Sequence, residues 1–203
     1  ARKPVWYVMP GGCWNAAGDV FSGPLYQPLG SPYMDYDAHQ FQARPAAGEA
    51  TISYQSNANA ILSYVIDGNA GTKTLEPQNF GVVDNKPKLA VGDLWWGGED
   101  ENGWGVNIVQ QGSSLFVTWY TYDSEGQVSW YVMPAGTWDG TIYAGTLYRT
   151  RGSPWVGHVY DASLLQVVPV GTLSLNFIDQ GLATMTYPLA SATQTKVIVR
   201  QPF

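Results

Sequence analysis

The feature that most constrains this chain is an internal duplication. The pentapeptide WYVMP occurs at residues 6–10 and again at 130–134, a shift of 124 positions. From Gly48 and Gly171 onward the two halves match at a constant shift of 123. A period above 120 residues is too long for solenoid repeats or propeller blades, so we predict that each copy is a small domain.

Further matched positions extend the alignment along most of both copies. The pairs are Trp14 with Trp138, residues 30–32 with 152–154, residues 36–38 with 160–162, Tyr64 with Tyr187, Lys73 with Lys196, and Phe80 with Phe203. The change of shift around residues 30–38 requires a two-residue insertion near Gly157 and His158. The duplication is therefore the firmest inference that the sequence allows.

The second copy consists of extended segments separated by turns. Along residues 114–123 the side chains of alternate residues fall on opposite faces of a strand, and Asp123 to Gly126 supplies a turn before a return strand. Eight such runs can be counted, near 93–97, 104–111, 114–123, 127–134, 141–150, 164–178, 182–189 and 195–202. Pro169 and Gly171 predict a bend or bulge in the sixth. Successive hairpins favour an all-β antiparallel meander, either a barrel or a two-sheet sandwich.

The first copy contains counterparts of only the last five runs, near 4–10, 18–27, 48–55, 60–67 and 72–80. We therefore predict an incomplete first repeat over residues 1–80 that lacks its three N-terminal strands, a linker over 81–92 and a complete second repeat over 93–203. Unpaired strand edges are templates for further pairing. We expect the partner that supplies the strands to be another copy of the chain or a missing N-terminal segment. The alternative is a sheet that closes alone or packs on the second repeat.

Composition narrows the classes of partner. Only 13% of the residues are charged and the net charge is −6, without a basic cluster, which argues against nucleic acid as a partner. There is no apolar run near 18 residues, so we expect no membrane span. Cys13 is the single cysteine; it is interpreted either as a small buried thiol or as an inter-chain thiol. Any export signal is expected to have been removed or left out of the chain.

Three motifs of the second copy resemble a class of Trp-rich tandem repeats found in exported bacterial proteins. They are the GWG run at 103–105, the WYTYD hairpin at 119–123 with Gly126 and Trp130, and the closing segment at 196–203. In the first copy the closing segment departs from the pattern and reads KTLEPQNF. The resemblance implies export from a bacterium and repetition, and it implies no activity. The expected location is therefore extracellular or on a bacterial cell surface.

The chain contains no known catalytic motif, and His39 and His158 are not matched between the copies. We therefore expect no enzyme, no catalytic residue and no cofactor. Glu99, Asp100 and Glu101 form an acidic loop that could bind calcium as a metal site, although a solvated hairpin tip explains it as well. Glu99 or Glu101 with Asp123 or Asp139 would be the carboxylate pair of a glycosidase, a remote alternative.

Aromatic residues are more informative. Adjacent aromatics on a strand point to opposite faces, so one member of each pair lies outside the barrel interior or against a neighbour. We predict a surface for a ligand or partner from Trp95, Trp96, Tyr120 and Tyr131. The alternative is that these rings line a contact between the repeats or a thick core.

The sequence thus predicts a non-catalytic secreted subunit of structural or adhesive function. It would assemble with a neighbouring chain or a retained fragment by β-strand complementation. The alternative is a glycan-binding module that binds polysaccharide through exposed Trp and Tyr. A glycoside hydrolase or a small-ligand barrel is the remote alternative.

Overall fold

The computed structural model describes residues 3–81, 89–189 and 192–202. Within them, all regular structure is antiparallel β-strand apart from four short 3-10 helices, Tyr33–Asp35, Ala38–Gln40, Glu99–Glu101 and Ala162–Leu164. The predicted all-β class is confirmed. None of the helices described is long and apolar enough to cross a membrane. Most of the predicted linker, 82–88, and Phe203 of the closing motif lie outside the described residues.

The N-terminal part forms a five-stranded antiparallel sheet. Its strands, in both chain and spatial order, are β1 Cys13–Trp14, β2 Val20–Leu25, β3 Gly48–Ser56, β4 Asn59–Ile66 and β5 Asn69–Leu75. The strand predicted near residues 4–10 is wrong, since Val8 makes only an isolated bridge to Tyr26 in that segment. A continuous strand needs a ladder of backbone partners, and the described residues supply one for a single position of this segment.

The C-terminal part forms a closed eight-stranded barrel. Its strands and one short additional strand, β10, are β6 Asp93–Trp96, β7 Gly105–Gln111, β8 Ser114–Tyr122, β9 Val128–Met133, β10 Thr137–Asp139, β11 Ile142–Arg151, β12 Gln166–Phe177, β13 Leu182–Leu189 and β14 Ala192–Arg200. The ring runs β6-β7-β8-β9-β11-β12-β13-β14 and closes where β14 pairs with β6. All eight predicted runs are strands, and the architecture is a barrel rather than a sandwich.

The predicted irregularity in the long strand β12 is present. The register between β11 and β12 shifts between Leu147, opposite Gly171, and Tyr148, opposite Pro169. Val170 is the extra residue of this bulge, and Gly171 has a φ of 143° that side chains rarely adopt. A bulge here increases the local bend, as closing a small barrel requires.

Hydrophobic side chains fill the barrel. Along β8 the inward residues Leu115, Val117 and Trp119 are at most 1% exposed. Trp119 and Trp130 lie on the paired strands β8 and β9, as predicted, where Trp119 is opposite Tyr131 and Tyr120 is opposite Trp130. Burying each such side chain contributes about 1.5–3 kcal/mol, so the barrel has a substantial core of its own.

Cross-strand partners in the sheet and the barrel correspond position by position. Ile52, Leu62 and Lys73 are neighbours across β3, β4 and β5. The residues 123 positions later, Leu175, Met185 and Lys196, are neighbours across β12, β13 and β14. The bridge of Val8 to Tyr26 likewise corresponds to the pairing of Val132 with Tyr148 between β9 and β11. We call residues related in this way counterparts.

Candidate functional site: the cleft of the five-stranded sheet

The concave face of the five-stranded sheet carries an open apolar cleft of about 340 Å³. Its lining is Val5, Trp6, Tyr7, Met9, Phe21, Leu25, Ala50, Ile52, Leu62, Tyr64, Ile66 and Trp155. The counterparts of Ile52 and Leu62 in the barrel are Leu175 and Met185, and both are fully buried there. The cleft is therefore the part of the first repeat that corresponds to the barrel interior.

The edge of β5 and the extended segment around Val8 bound this cleft. In the barrel, β14 pairs with β6 and β9 pairs with β8. The counterparts of β14 and β9 are β5 and the segment around Val8, and in the described part of the chain neither has a partner on that side. Counterparts of β6, β7 and β8 are likewise not found in the described residues. A unit that occupied the place of β6, β7 and β8 beside the cleft would thus have the size of a three-stranded meander.

A loop of the first repeat covers one end of the barrel. This first cap, residues 30–41, places the Tyr33 ring against three aromatic rings of the barrel, with centroid distances of 4.5 Å to Trp119, 5.6 Å to Tyr187 and 5.9 Å to Tyr131. The Tyr187 hydroxyl donates a hydrogen bond to Gln194 Oε1 at 3.0 Å and also lies 3.4 Å from the carbonyl oxygen of Tyr33. Burial is the main cause that raises the pKa of Tyr187, so it stays a neutral donor.

The matching loop of the second repeat covers the cleft. This second cap, residues 152–165, places the Trp155 ring 4.9 Å from the Tyr64 ring, edge to face. The Tyr64 hydroxyl donates to the carbonyl oxygen of Trp155 at 3.4 Å. Tyr64 is the counterpart of Tyr187, and Trp155 follows the matched Gly-Ser-Pro as Tyr33 does. The two repeats therefore exchange caps with pseudo-two-fold symmetry.

The first cap also contacts the acidic loop of the barrel. The Tyr36 hydroxyl donates to the carbonyl oxygen of Asn102, and a Cβ on Gly103 would lie 2.4 Å from the Phe41 ring. Gly103 has a φ of 120°, so both its conformation and this close approach require glycine. The acidic loop is held against the first cap by these contacts.

Glu101 links that loop to the barrel. Its carboxylate pairs with the Lys196 ammonium at 2.6 Å and accepts a hydrogen bond from Trp104 Nε1 at 3.1 Å. Lys196 Nζ also lies 5.7 Å from the centre of the Tyr36 ring and 5.5 Å from that of Trp104. Burial first, and then the negative charge of Glu101, raises the pKa of Tyr36 to about 12. The group is a half-buried polar contact between the repeats.

The acidic loop does not supply the predicted metal site. Across residues 3–81, 89–189 and 192–202, no group of three or more metal-ligating side chains could hold an ion. Glu99 and Asp100 are exposed on the 3-10 helix, whereas Glu101 is engaged by Lys196.

The start of the chain packs beside the same barrel end. Trp6 Nε1 donates to the carbonyl oxygens of Thr121 at 3.2 Å and Ser129 at 3.1 Å, and its ring lies 5.8 Å from that of Tyr120. Lys3 bridges the carboxylates of Asp123 and Glu125, each at 2.9 Å. Trp130, the counterpart of Trp6, is half-buried.

Of the four aromatic residues predicted to form a surface, Trp95 is in the wrong place. It is fully buried in the barrel, 5.6 Å from the Phe177 ring, because the inner member of the pair faces the core. Trp96, Tyr120 and Tyr131 are half-buried. Tyr120 lies under Trp6, and Tyr131 packs on Tyr33 and Trp119. Two of the four thus line the contact between the repeats, the alternative that the sequence left open.

The exposed aromatic cluster lies elsewhere, on the first repeat. Trp14 is 53% exposed and Tyr54 is 46% exposed, with ring centroids 5.5 Å apart, and Phe21 lies 5.2 Å from Trp14. The counterparts of these three form a cluster inside the barrel, where the Trp95 ring packs on Phe177, the counterpart of Tyr54. Sequence reasoning missed this cluster, although comparing counterparts at these positions would have found it.

The remaining predicted groups are dispersed. Cys13 is a free, exposed thiol opposite Ser22 in β2. His39 and His158 are both exposed. Glu101 and Asp123, considered for a glycosidase pair, are each engaged by a lysine, Lys196 and Lys3 respectively.

No family model matches the chain, and neither does any curated protein or solved structure. Function must therefore be inferred from the geometry of the cleft and the caps.

Proposed function

We propose that the protein is a non-catalytic extracellular subunit of a bacterial surface, structural or adhesive, that assembles by β-strand complementation. The complementing unit is a three-stranded antiparallel segment of the sequence type of residues 93–122, supplied by a neighbouring chain or by a retained N-terminal fragment. That segment completes the first repeat as an eight-stranded barrel.

The observation that carries the proposal is the cleft between the open edge of β5 and the segment around Val8, which makes a single backbone bridge. In the barrel, β6, β7 and β8 stand between the counterparts of β5 and of that segment and bury the counterparts of the cleft residues. Each open edge carries unpaired N–H and C=O groups that an added strand satisfies. An apolar cleft bounded in this way favours an added strand unit over a small ligand.

The barrel also indicates which side chains the partner supplies. A Trp at the position of Trp95 would cover Tyr54, as Trp95 covers Phe177. A Trp at the position of Trp119 would reach Tyr64 and Trp155, because Trp119 packs 4.5 Å from Tyr187 and 4.5 Å from Tyr33. The partner segment is therefore aromatic, like the rest of the repeat.

A second copy of this chain is a poorer donor than a separate segment. It would have to release β6, β7 and β8 from its own closed barrel, exposing the fully buried Trp95, Val117 and Trp119. Exposing each of these side chains to water would cost about 1.5–3 kcal/mol of folding free energy. The extracellular and bacterial parts of the proposal rest on the repeat resemblance.

A binding experiment with a matched pair of variants tests the proposal. The full chain is refolded with a polypeptide of the sequence 90–126, and the mixture is analysed by light scattering and native mass spectrometry. We expect a one-to-one complex and slowed hydrogen exchange in β5. Leu62→Asp, in the cleft, should abolish the complex. Ile61→Asp, the next residue on the opposite face of β4, should not.

A chain that remains a folded monomer of 22.2 kDa beside the added polypeptide would contradict complementation. Equal binding by the two β4 variants would place the added polypeptide outside the cleft, and would contradict it as well.

Carbohydrate binding is the second candidate, favoured by the exposed Trp14 and Tyr54 rings on one surface. Aromatic faces of this kind stack on sugar rings. It predicts a change of Trp fluorescence with a polysaccharide panel that is lost in Trp14→Ala. Complementation instead predicts that the polypeptide, and no polysaccharide, protects Trp14 from a soluble quencher.

A further inference from the structure

We infer that Lys73, Tyr160 and Leu165 form a receptor for one acidic-aromatic turn of the complementing segment. The turn has a glutamate three residues before a tryptophan, with a glycine just before that tryptophan, as at Glu101, Gly103 and Trp104. This inference rests on the proposed function and specifies how the partner is recognised.

The barrel shows the occupied form of such a receptor. Lys196 from β14 pairs with Glu101 at 2.6 Å, and Tyr36 and Phe41 of the first cap hold Asn102 and Gly103. The receptor is built from both repeats, because the lysine belongs to one and the cap to the other.

The counterparts of these receptor residues, one on the first repeat and two on the second cap, are present and uncovered. Lys73 is the counterpart of Lys196, and it lies on the concave face beside Leu62. It makes no salt bridge within the described residues. Tyr160 and Leu165, the counterparts of Tyr36 and Phe41, are 50% and 53% exposed on the second cap. Since Lys196 lies 5.7 Å from the Tyr36 ring in the barrel, the counterpart lysine, Tyr and Leu would together offer an amphipathic surface that fits an acidic and aromatic ligand.

A pair of glycines supports this assignment independently. A Cβ on Gly30, in the first cap, would lie 2.3 Å from the Tyr122 ring of the barrel. A Cβ on its counterpart Gly152 would meet only Leu165 of its own cap, at 3.9 Å. The second cap therefore keeps room for an aromatic ring in the position that Tyr122 fills against the first cap.

The chemistry makes the turn selective. A lysine on the strand next to Leu62 of the cleft loses hydration when strands cover it, so it needs a carboxylate partner. A glycine is needed where the chain passes the cap, since Gly103 adopts a φ of 120° against Phe41. A three-stranded segment with the same apolar pattern but no Glu-x-x-Trp turn should therefore bind more weakly.

The test uses the full chain and the 90–126 polypeptide as ligand, with binding measured by titration calorimetry. Lys73→Glu should weaken binding at least tenfold, and E101K in the polypeptide should do the same. Combining the two reversed charges should recover most of the affinity. Tyr160→Ala should weaken binding about three- to tenfold. Arg151→Glu, an equal charge reversal at an exposed end of β11, should leave binding unchanged.

The outcomes distinguish a failure of complementation from a failure of the receptor. Absence of binding by the unmodified pair overturns complementation and the receptor with it. If the unmodified pair binds and neither the changes at Lys73 and Tyr160 nor E101K alters the affinity, the receptor alone is overturned and complementation is retained. Weakening by Lys73→Glu without recovery in the charge-swapped pair also overturns the receptor, because a general effect on the sheet would produce it.

Discussion

Truncation of Tyr33 to alanine should uncouple the two repeats. Tyr33 lies within 6 Å, ring to ring, of Trp119, Tyr131 and Tyr187. Removing a large buried aromatic ring costs about 3–5 kcal/mol. Because Tyr33 is half-buried, we expect a loss of about 2–4 kcal/mol in the free energy of unfolding.

For a chain of this size each kcal/mol shifts the melting temperature by about 2–4 °C, so the melting temperature of Tyr33→Ala should fall by roughly 5–15 °C. Differential scanning calorimetry measures the shift, and near-UV circular dichroism reports the aromatic cluster. Met34→Ala, the exposed neighbour on the same cap, is the control and should melt like the unaltered protein. If Tyr33→Ala and Met34→Ala have the same melting temperature, the first cap does not stabilise the barrel and the exchange of caps contributes nothing to stability.

Three further outcomes follow from the same contacts. Trp119→Ala should destabilise the barrel by about 3–5 kcal/mol, measured by denaturant unfolding, whereas Trp130→Ala should cost clearly less because Trp130 is half-buried. Gly103→Ala should free the acidic loop from the first cap, seen as faster hydrogen exchange at Asn102; unchanged exchange would contradict the docking. Desolvation opposes the ionisation of Asp123, but the hydrogen bonds from Lys3 and from two backbone N–H groups outweigh it and hold its pKa below 3.8. The stabilisation by ionised Asp123 is therefore complete above pH 3.8 and is lost as the pH falls through the lowered pKa. Asp123→Asn should therefore reduce the loss of unfolding free energy at acidic pH. An unchanged dependence of that free energy on pH would contradict this.

Local patterns predicted the strands of the barrel well. The alternation along 114–123 and the turn at Asp123 to Gly126 are properties of neighbouring residues, and β8 and β9 follow from them. The segment at 4–10 is as apolar as its counterpart in the second repeat, yet it forms no strand. Pairing, not propensity, decides whether an extended segment becomes a strand.

The candidate site was less predictable, because it depends on contacts between distant residues. Adjacent Trp95 and Trp96 must face opposite ways, but the pattern does not say which ring is inside. Tyr33 and Trp155 each contact the other repeat at a residue more than 80 positions away in the chain, and no periodicity marks such a contact. The local sequence around Glu101 indicates a solvated or metal-binding carboxylate. It does not indicate the ion pair, because the partner Lys196 lies 95 residues later in the chain.

The exchange of caps explains why the open cleft and the closed barrel belong to one unit. Tyr33 extends from the first repeat into the barrel, and Trp155 extends from the second repeat into the cleft. A segment that fills the cleft would enclose Trp155 and Tyr64 from the other side, as β8 encloses Tyr33 and Tyr187. Anything that binds the folded state alone stabilises it, and here the bound state includes a loop anchored in the barrel at β11 and β12. Complementation of the first repeat would therefore also stabilise the second repeat. The unit that assembles would be the pair of repeats rather than either one.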